Sequence, residues 1–400
     1  MGTAPPRVAF ATIWDGAADY ACSLLHWCQH AQRLADLLQR NGVIGGADLQ
    51  ILVTDDHKYG VGGTSCRCNV IKKRFCPECA ARDLPGAPPK RDPWLTVSQD
   101  CPRARVATLD VRLRAAVRRY AASPQSGCHE GWYTTILYKW WAFSLVDFAL
   151  VVFADLDVQL LAVVEQSAEQ VVADWRLRLA EVVPADGLTR LGIDRDSVSP
   201  VNSGLWTLAW PSTRLYQQGL DVLERVTFNA THGFALPGHP ETLGTPRELA
   251  ARSRTLKERL KGTTSLRKNK WNVPFGGCDQ GFLFWMIFIG PAKGVGAEYV
   301  KPLGRCLNSV SKPGCGHYAR HYTGARKPWQ LEKDNAGRVA RYLKHTSWRA
   351  NVNRSWCAAR FGAWASGRLA HLMRDDPNGS APLAGVGAGD WHGIWQRVLV

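Results

Sequence analysis

Residues 139–161 read KWWAFSLVDFALVVFADLDVQLL: an aromatic segment, an apolar run, then two aspartates one residue apart. Residues 149–154 are apolar without a break, the composition of a strand buried on both faces of a parallel sheet. Open sheets of that kind bind ligands beyond the carboxyl ends of their strands, which is where Asp155 and Asp157 fall. Their spacing equals the strand period of two, so both carboxylates are expected on one side. Adjacent carboxylates repel each other. A hard divalent cation, Mn2+ or Mg2+, relieves that repulsion and commonly shares its coordination with substrate phosphates. Taken alone, the pair fits two solvated loop acids better than a metal site.

Working outward, residues 7–14 (RVAFATIW) read as a first strand, β-branched and aromatic. Residues 20–40 carry Leu24, Leu25, Trp27, Leu34, Leu37 and Leu38 at amphipathic-helix spacing, with Asn41 and Gly42 as the stop. Residues 49–54 (LQILVT) are a second buried strand. Strand, helix and strand within fifty residues open a doubly wound α/β sheet. The sheet resumes at 105–109, followed by a basic helix through Tyr120 and a loop at 123–131. Residues 132–148 are helix-compatible and aromatic, and 163–181 read as a helix. Residues 200–210 (PVNSGLWTLAW) read as a strand entered through a turn, followed by a helix at 213–226. Residues 278–290 (CDQGFLFWMIFIG) are helical by length and composition, and two helices are expected near 335–345 and 356–374.

The expected organisation is a catalytic domain over 1–330 and a helical C-terminal extension over 331–400. The domain carries a Cys-rich insertion at 57–103, too long and too polar for an ordinary crossover. It also carries a basic flexible segment at 234–272, with one short helical pattern near 247–260.

The formal net charge is +16, unevenly spread: residues 251–270 hold eight Lys/Arg against one Glu, and residues 301–400 hold sixteen against five acids. A basic face suits a polyanion, a membrane surface or a nucleotide diphosphate, and equally a solvated surface. MGTAPPR runs straight into VAFATIW, which is too short and wrongly flanked for a signal peptide. The most apolar run, 282–289, falls well short of the roughly 18 residues that a membrane span needs. The chain therefore reads as soluble and cytoplasmic, with the Golgi lumen as the alternative should an anchor precede it. Twelve cysteines are too few for a disulfide scaffold of this length, and most are scattered singly. Cys66, Cys68, Cys76 and Cys79 lie within fourteen residues and fit one tetrahedral Zn2+. Two disulfides would serve equally in an oxidising compartment, and free thiols are the third alternative.

Three further constellations bear on the aspartates. In HYTGARKPW, residues 321–329, His321 offers a nitrogen to a cation, Gly324 lets backbone approach a phosphate, and Lys327 offers a point charge. Asn202, Ser203 and Gly204 at a strand entry can bond sugar hydroxyls. Asp279 and Gln280 begin a helix, where an Asp is ordinarily a cap or dipole partner.

In this order the four blocks resemble glycosyltransferase family eight, the glycogenin and galactinol synthase group of retaining enzymes with the GT-A type nucleotide-diphospho-sugar transferase fold. The resemblance is thin over the first hundred residues and good from Tyr138 to about Gln330. It implies a mixed, mostly parallel sheet flanked by helices, a UDP-linked nucleotide-sugar donor, and Mn2+ or Mg2+. It further implies Asp155, Asp157 and His321 as metal ligands, and Lys139, sixteen residues before Asp155, as a donor-phosphate lysine. Gly324 and Lys327 match its diphosphate clamp. Asn202 and Ser203 match its sugar-binding turn, with Val201 in place of an aromatic residue. Asp279 and Gln280 match the pair lining the donor sugar, with Asp279 a candidate nucleophile. Thr12 and Tyr20 are counterparts at the nucleobase end. The insertion and the basic segment depart from the family core, and no counterpart of glycogenin's self-glucosylated tyrosine is present. The expected activity is transfer of a hexosyl group to an acceptor hydroxyl. The alternative is a non-catalytic nucleotide-sugar-binding relative. A nucleic-acid partner is not expected, because the cysteines lie far in sequence from the basic segments.

Overall fold

The computed structural model describes residues 4–14, 21–54, 101–123, 126, 128, 136–160, 168–183, 185–193, 199–261, 269–271, 276–290, 298–300 and 320–321. Tyr20, the cluster of Cys66, Cys68, Cys76 and Cys79, Gly324, Lys327 and the C-terminal extension lie outside the described residues.

The chain opens as its periodicity predicts: strand β1 (Arg7–Trp14), helix α1 (Ala21–Arg40) and strand β2 (Gly46–Val53). Strand β3 (Ala104–Ala107) and helix α2 (Val111–Ala122) follow, the helix capped by the Asp110 side chain, which accepts from the Arg112 and Leu113 amides. Next come a 3-10 helix (Leu137–Ser144), β4 (Leu150–Ala154), β5 (Val158–Gln159) and α3 (Ala168–Val182). Then come β6 (Arg190–Ile193), β7 (Leu205–Ala209), α4 (Thr213–Leu223), β8 (Thr227–Asn229) and β9 (Gly233–Ala235). Helices α5 (Pro246–Arg252), α6 (Arg254–Leu260) and α7 (Asp279–Phe288) precede β10 (Glu298–Val300) and β11 (Arg320–His321).

Seven strands form one sheet in the order β10-β6-β7-β4-β1-β2-β3. All neighbours in it are parallel except at β7, which runs antiparallel to both β4 and β6. The sheet is thus mixed and mostly parallel, as expected. Strand parity divides its side chains between two cores. Val151, Phe153, Trp206 and Leu208 face a front core built by the 3-10 helix, α2, α4 and α7. Leu150, Val152, Ala154, Leu205 and Ala209 face a back core covered by α1 and α3.

The structure departs from the sequence reading at the aromatic segment, at residues 247–260 and at the cysteines. The aromatic segment before β4 is a 3-10 helix preceded by Ile136, which offers no side-chain cap, so packing of its rings sets its conformation. Residues 247–260 form two helices in place of one pattern, because Ser253 breaks the run in extended conformation and caps α6 with its own hydroxyl. Leu249, Leu256 and Leu260 of this pair are buried in the front core. Finally, four of the scattered cysteines are paired, as Cys28–Cys101 and Cys128–Cys278.

Candidate active site

The chain leaves β4 through a tight turn built on the aspartates. The Asp155 amide donates to the Gly204 carbonyl at 2.7 Å, carrying the β4–β7 pairing one residue past the strand, and the Val158 amide donates back to the Asp155 carbonyl at 2.9 Å. Asp155, Leu156 and Asp157 therefore form the turn itself rather than an extension of the strand. The period-of-two argument for their shared side gives way to turn geometry. β5 then pairs antiparallel with β11, setting the His321 backbone opposite Val158, the residue after Asp157.

Lys139 is the centre of the arrangement, with a side chain only 5% exposed. Its Nζ donates to Asp155 Oδ2 at 2.8 Å and pairs with Asp279 Oδ2 at 2.9 Å. The Ser203 carbonyl and hydroxyl oxygens both lie at 3.3 Å. Burial alone would lower the ammonium's pKa, but the charges and hydrogen bonds of Asp155 and Asp279 outweigh it and hold Lys139 above the ordinary lysine value. Ser203 also donates its hydroxyl to Asp279 Oδ2. Asp279 opens α7, where the partial positive charge of the helix N-terminus favours a carboxylate. Four residues separated by as many as 140 positions thus meet at one buried ammonium.

The remaining expected residues surround this group in different ways. Asn202 Oδ1 accepts the Gly204 amide at 2.9 Å, so its side chain builds the turn that presents Ser203. Gln280 is buried, and its Oε1 accepts no hydrogen bond from the described residues. Thr12 lies on β1 one position past the Ala11–Phe153 pair, buried, with no hydrogen-bond partner for its hydroxyl among the described residues. Sequence reasoning missed Thr54, directly after the neighbouring β2, whose equally buried hydroxyl has no partner among the described residues. Unpaired buried polar atoms are costly, and these sit on adjacent strands at the ligand-binding end of the sheet. Also missed were Tyr120 and the Cys128–Cys278 bond beneath α7; a cysteine directly before Asp279 was their one trace in the sequence.

Asp155 and Asp157, the expected carboxylate ligands, share one turn, with the His321 backbone paired just beyond them. Among the described side chains, no three His, Cys, Asp or Glu groups are placed to hold a metal; the His321 side chain lies outside them. A cavity of about 420 Å3 lined by Arg7, Gln39, Asp48, Arg103 and Arg105 lies at the other end of the sheet, at the amino ends of β1 to β3. It is open to solvent and remote from the aspartate turn.

No protein-family profile and no curated protein matches the chain. Among solved structures it is similar to LgtC, once as an active-site mutant and once as the galactosyltransferase in complex with donor and acceptor sugar analogs. Identity is 13% in each, the alignments cover 84% of this chain and 94% of the other, and the TM-scores are 0.32 and 0.33. Likeness at that level carries no inference about activity. No described helix is long and apolar enough to cross a membrane.

Proposed function

We propose that this chain is a metal-dependent retaining glycosyltransferase that moves a hexosyl group from a nucleotide sugar, UDP-linked, to an acceptor hydroxyl. One observation carries the reading: Lys139, Asp155, Ser203 and Asp279, drawn from separate sequence blocks, meet at the carboxyl end of β4. A purely structural salt bridge has no need to sit beside an Asp-Leu-Asp turn at the ligand end of a parallel sheet.

Asp155, Asp157 and His321 would hold Mn2+ or Mg2+, which supplies positive charge against the leaving diphosphate. Lys139 fixes the Asp155 and Asp279 carboxylates, so they need not reorganise as charge develops. In this reading Lys139 reaches the donor phosphate only through Asp155. Asp279, held by Lys139 and Ser203, faces the developing positive charge at the anomeric carbon, and Gln280 offers its unpaired oxygen to a sugar hydroxyl. Gly324 and Lys327 complete the diphosphate contact, and Thr12 serves the nucleobase end. The two disulfides support the lumenal compartment over the cytoplasm, because thiols in the cytosol are kept reduced.

The test is release of free UDP from UDP-glucose or UDP-galactose with Mn2+. Turnover that needs the metal and is lost in Asp157→Ala is expected. Turnover that survives Asp157→Ala would sink the metal site, and binding without any turnover would favour the non-catalytic relative.

A further inference from the structure

Asp279 is held by its own hydrogen bonds and also by what lies beneath it. Cys278, the residue at the N-cap of α7, makes no side-chain cap hydrogen bond, although this is the position where a Ser, Thr, Asp or Asn side chain normally satisfies the first helical amides. Its sulfur is instead bonded to Cys128, 150 residues away in sequence. Around that bond lies a small dry clamp. The Tyr120 hydroxyl lies 2.5 Å from the Gly277 carbonyl and 2.9 Å from the Ser126 carbonyl, and the Cys128 amide donates to Ser126 Oγ at 3.1 Å. Tyr120, Ser126, Cys128 and Cys278 are each 0–1% exposed. On the helix side, Gly281 packs so closely on the Gly276 carbonyl that a Cβ there would overlap it.

We propose that the Cys128–Cys278 disulfide is a positioning device for Asp279. It fixes the start of α7 at the height where the carboxylate meets both Lys139 and Ser203. The proposal rests on the glycosyltransferase reading above. Its logic is geometric: Cys278 and Asp279 are adjacent, so a shift of the bonded cysteine is passed to the carboxylate. A displacement of about 1 Å is enough to cost on the order of 10²-fold in rate. Cys28–Cys101 is the internal control. It joins α1 to the chain before β3 within the back core, away from the Lys139 group.

The experiment compares wild type with Cys128→Ala/Cys278→Ser and with Cys28→Ala/Cys101→Ala, below the melting temperature of all three. Serine at position 278 restores a capping side chain to α7 without restoring the tie, which separates helix stability from placement. Donor hydrolysis is measured with UDP-galactose or UDP-glucose and Mn2+, together with amide exchange over residues 279–288. Both pairs of substitutions should lower Tm. Only the Cys128/Cys278 variant should lose kcat, by tenfold or more, on the order of the misplacement cost, with donor KM within about threefold and faster exchange at the start of α7. A kcat within twofold of the Cys28/Cys101 variant overturns the proposal. Should wild type show no turnover, the transferase reading fails and exchange decides the positioning: unchanged protection of 279–288 overturns it, and protection lost only at the start of α7 upholds it.

Discussion

Both faces of the central sheet are dry, but they are packed by different kinds of side chain. Behind the sheet, Leu24, Trp27, Leu34 and Leu38 of α1 and Val171, Trp175 and Leu179 of α3 cover Phe10, Ile51 and Val152. In front, rings dominate: Trp140 stacks on Phe143 at 4.1 Å, Phe143 on Trp206 at 5.7 Å and Trp206 on Phe153 at 4.9 Å. The Lys139 ammonium lies 5.7 Å from the Phe153 ring. The back core cluster is made of apolar side chains. The front core buries the Lys139 ammonium and the Asp279 carboxylate, with Asp155 completing the trio at 30% side-chain exposure, and in buried surroundings fixed charges act more strongly than in solvent. The contrast implies that damage behind the sheet costs stability, whereas damage in front costs function as well.

The sharpest way to break that contrast is Lys139→Met. It leaves the buried Asp279 carboxylate facing Asp155 without a cation, a loss of about 3–5 kcal/mol by the usual cost of breaking a buried pair. Activity should fall on the order of 10²–10³-fold. Urea unfolding and UDP release measure the two. Adding Asp279→Asn should return part of the stability and none of the activity. If Lys139→Met leaves kcat intact, the trio is structural only.

A core substitution behind the sheet is the counterpart. Leu34→Ala in α1 removes a fully buried side chain and should cost about 2–5 kcal/mol, with kcat per folded molecule unchanged at a temperature where the variant remains native. A fall in kcat as large as the front-face effect would show that the two cores are coupled through the sheet.

The same contrast explains how much could be read in advance. The back core was legible because each of its pieces carries its own period: β1 was expected at 7–14 and is Arg7–Trp14, and α1 shows its leucine stripe directly. The front core is made by tertiary pairing. Trp140 lies against Gly219, where a Cβ would overlap its ring, and no local pattern announces a contact between residues so far apart. β6 (RLGI) and β10 (EYV) were not anticipated, being too short and too polar to stand out without the partners that pair them. In the site, the aspartates and Asp279 were legible as motifs. That Lys139 binds carboxylates rather than reaching freely toward a phosphate was not, since its burial follows from the rings around it. Disulfide connectivity is likewise undetermined by cysteine spacing.

Raising pH should discriminate between the faces more gently. Tyr120, Tyr216 and Lys139 all belong to the front. Burial raises the Tyr120 phenol, burial and then Asp110 raise Tyr216, and Asp155 with Asp279 raise Lys139 against its own burial. The unfolded chain releases these protons near pH 10 to 10.4, while the folded chain keeps them. The folded state then binds more protons, and stability falls as pH rises. Their stabilisation is complete below about pH 10 and drains above it, by about 1.4 kcal/mol per pH unit for each group. Melting temperatures at pH 8 to 11 should show the decline. Tyr120→Phe should make it shallower, and Leu34→Ala should leave its slope unchanged.

The smallest effect tests whether the front is functional throughout. The outer part of that core is the α5–α6 pair, which enters it through Leu249, Leu256 and Leu260. α5 begins with a reciprocal cap: Thr245 Oγ1 accepts the Glu248 amide at 3.4 Å, and Glu248 Oε2 accepts the Thr245 amide at 2.7 Å, with Pro246 at the first helical position. Thr245→Ala removes one half of that exchange and should cost about 1 kcal/mol. The pair shares its core with Trp271 and α7, and the cap itself is made within the pair by Thr245 and Glu248. The variant should therefore melt earlier with unchanged kcat and donor KM. If kcat falls while the fold is intact, the outer leucines also transmit position to α7, and the boundary of the functional core moves outward from the Lys139 trio to the whole front layer.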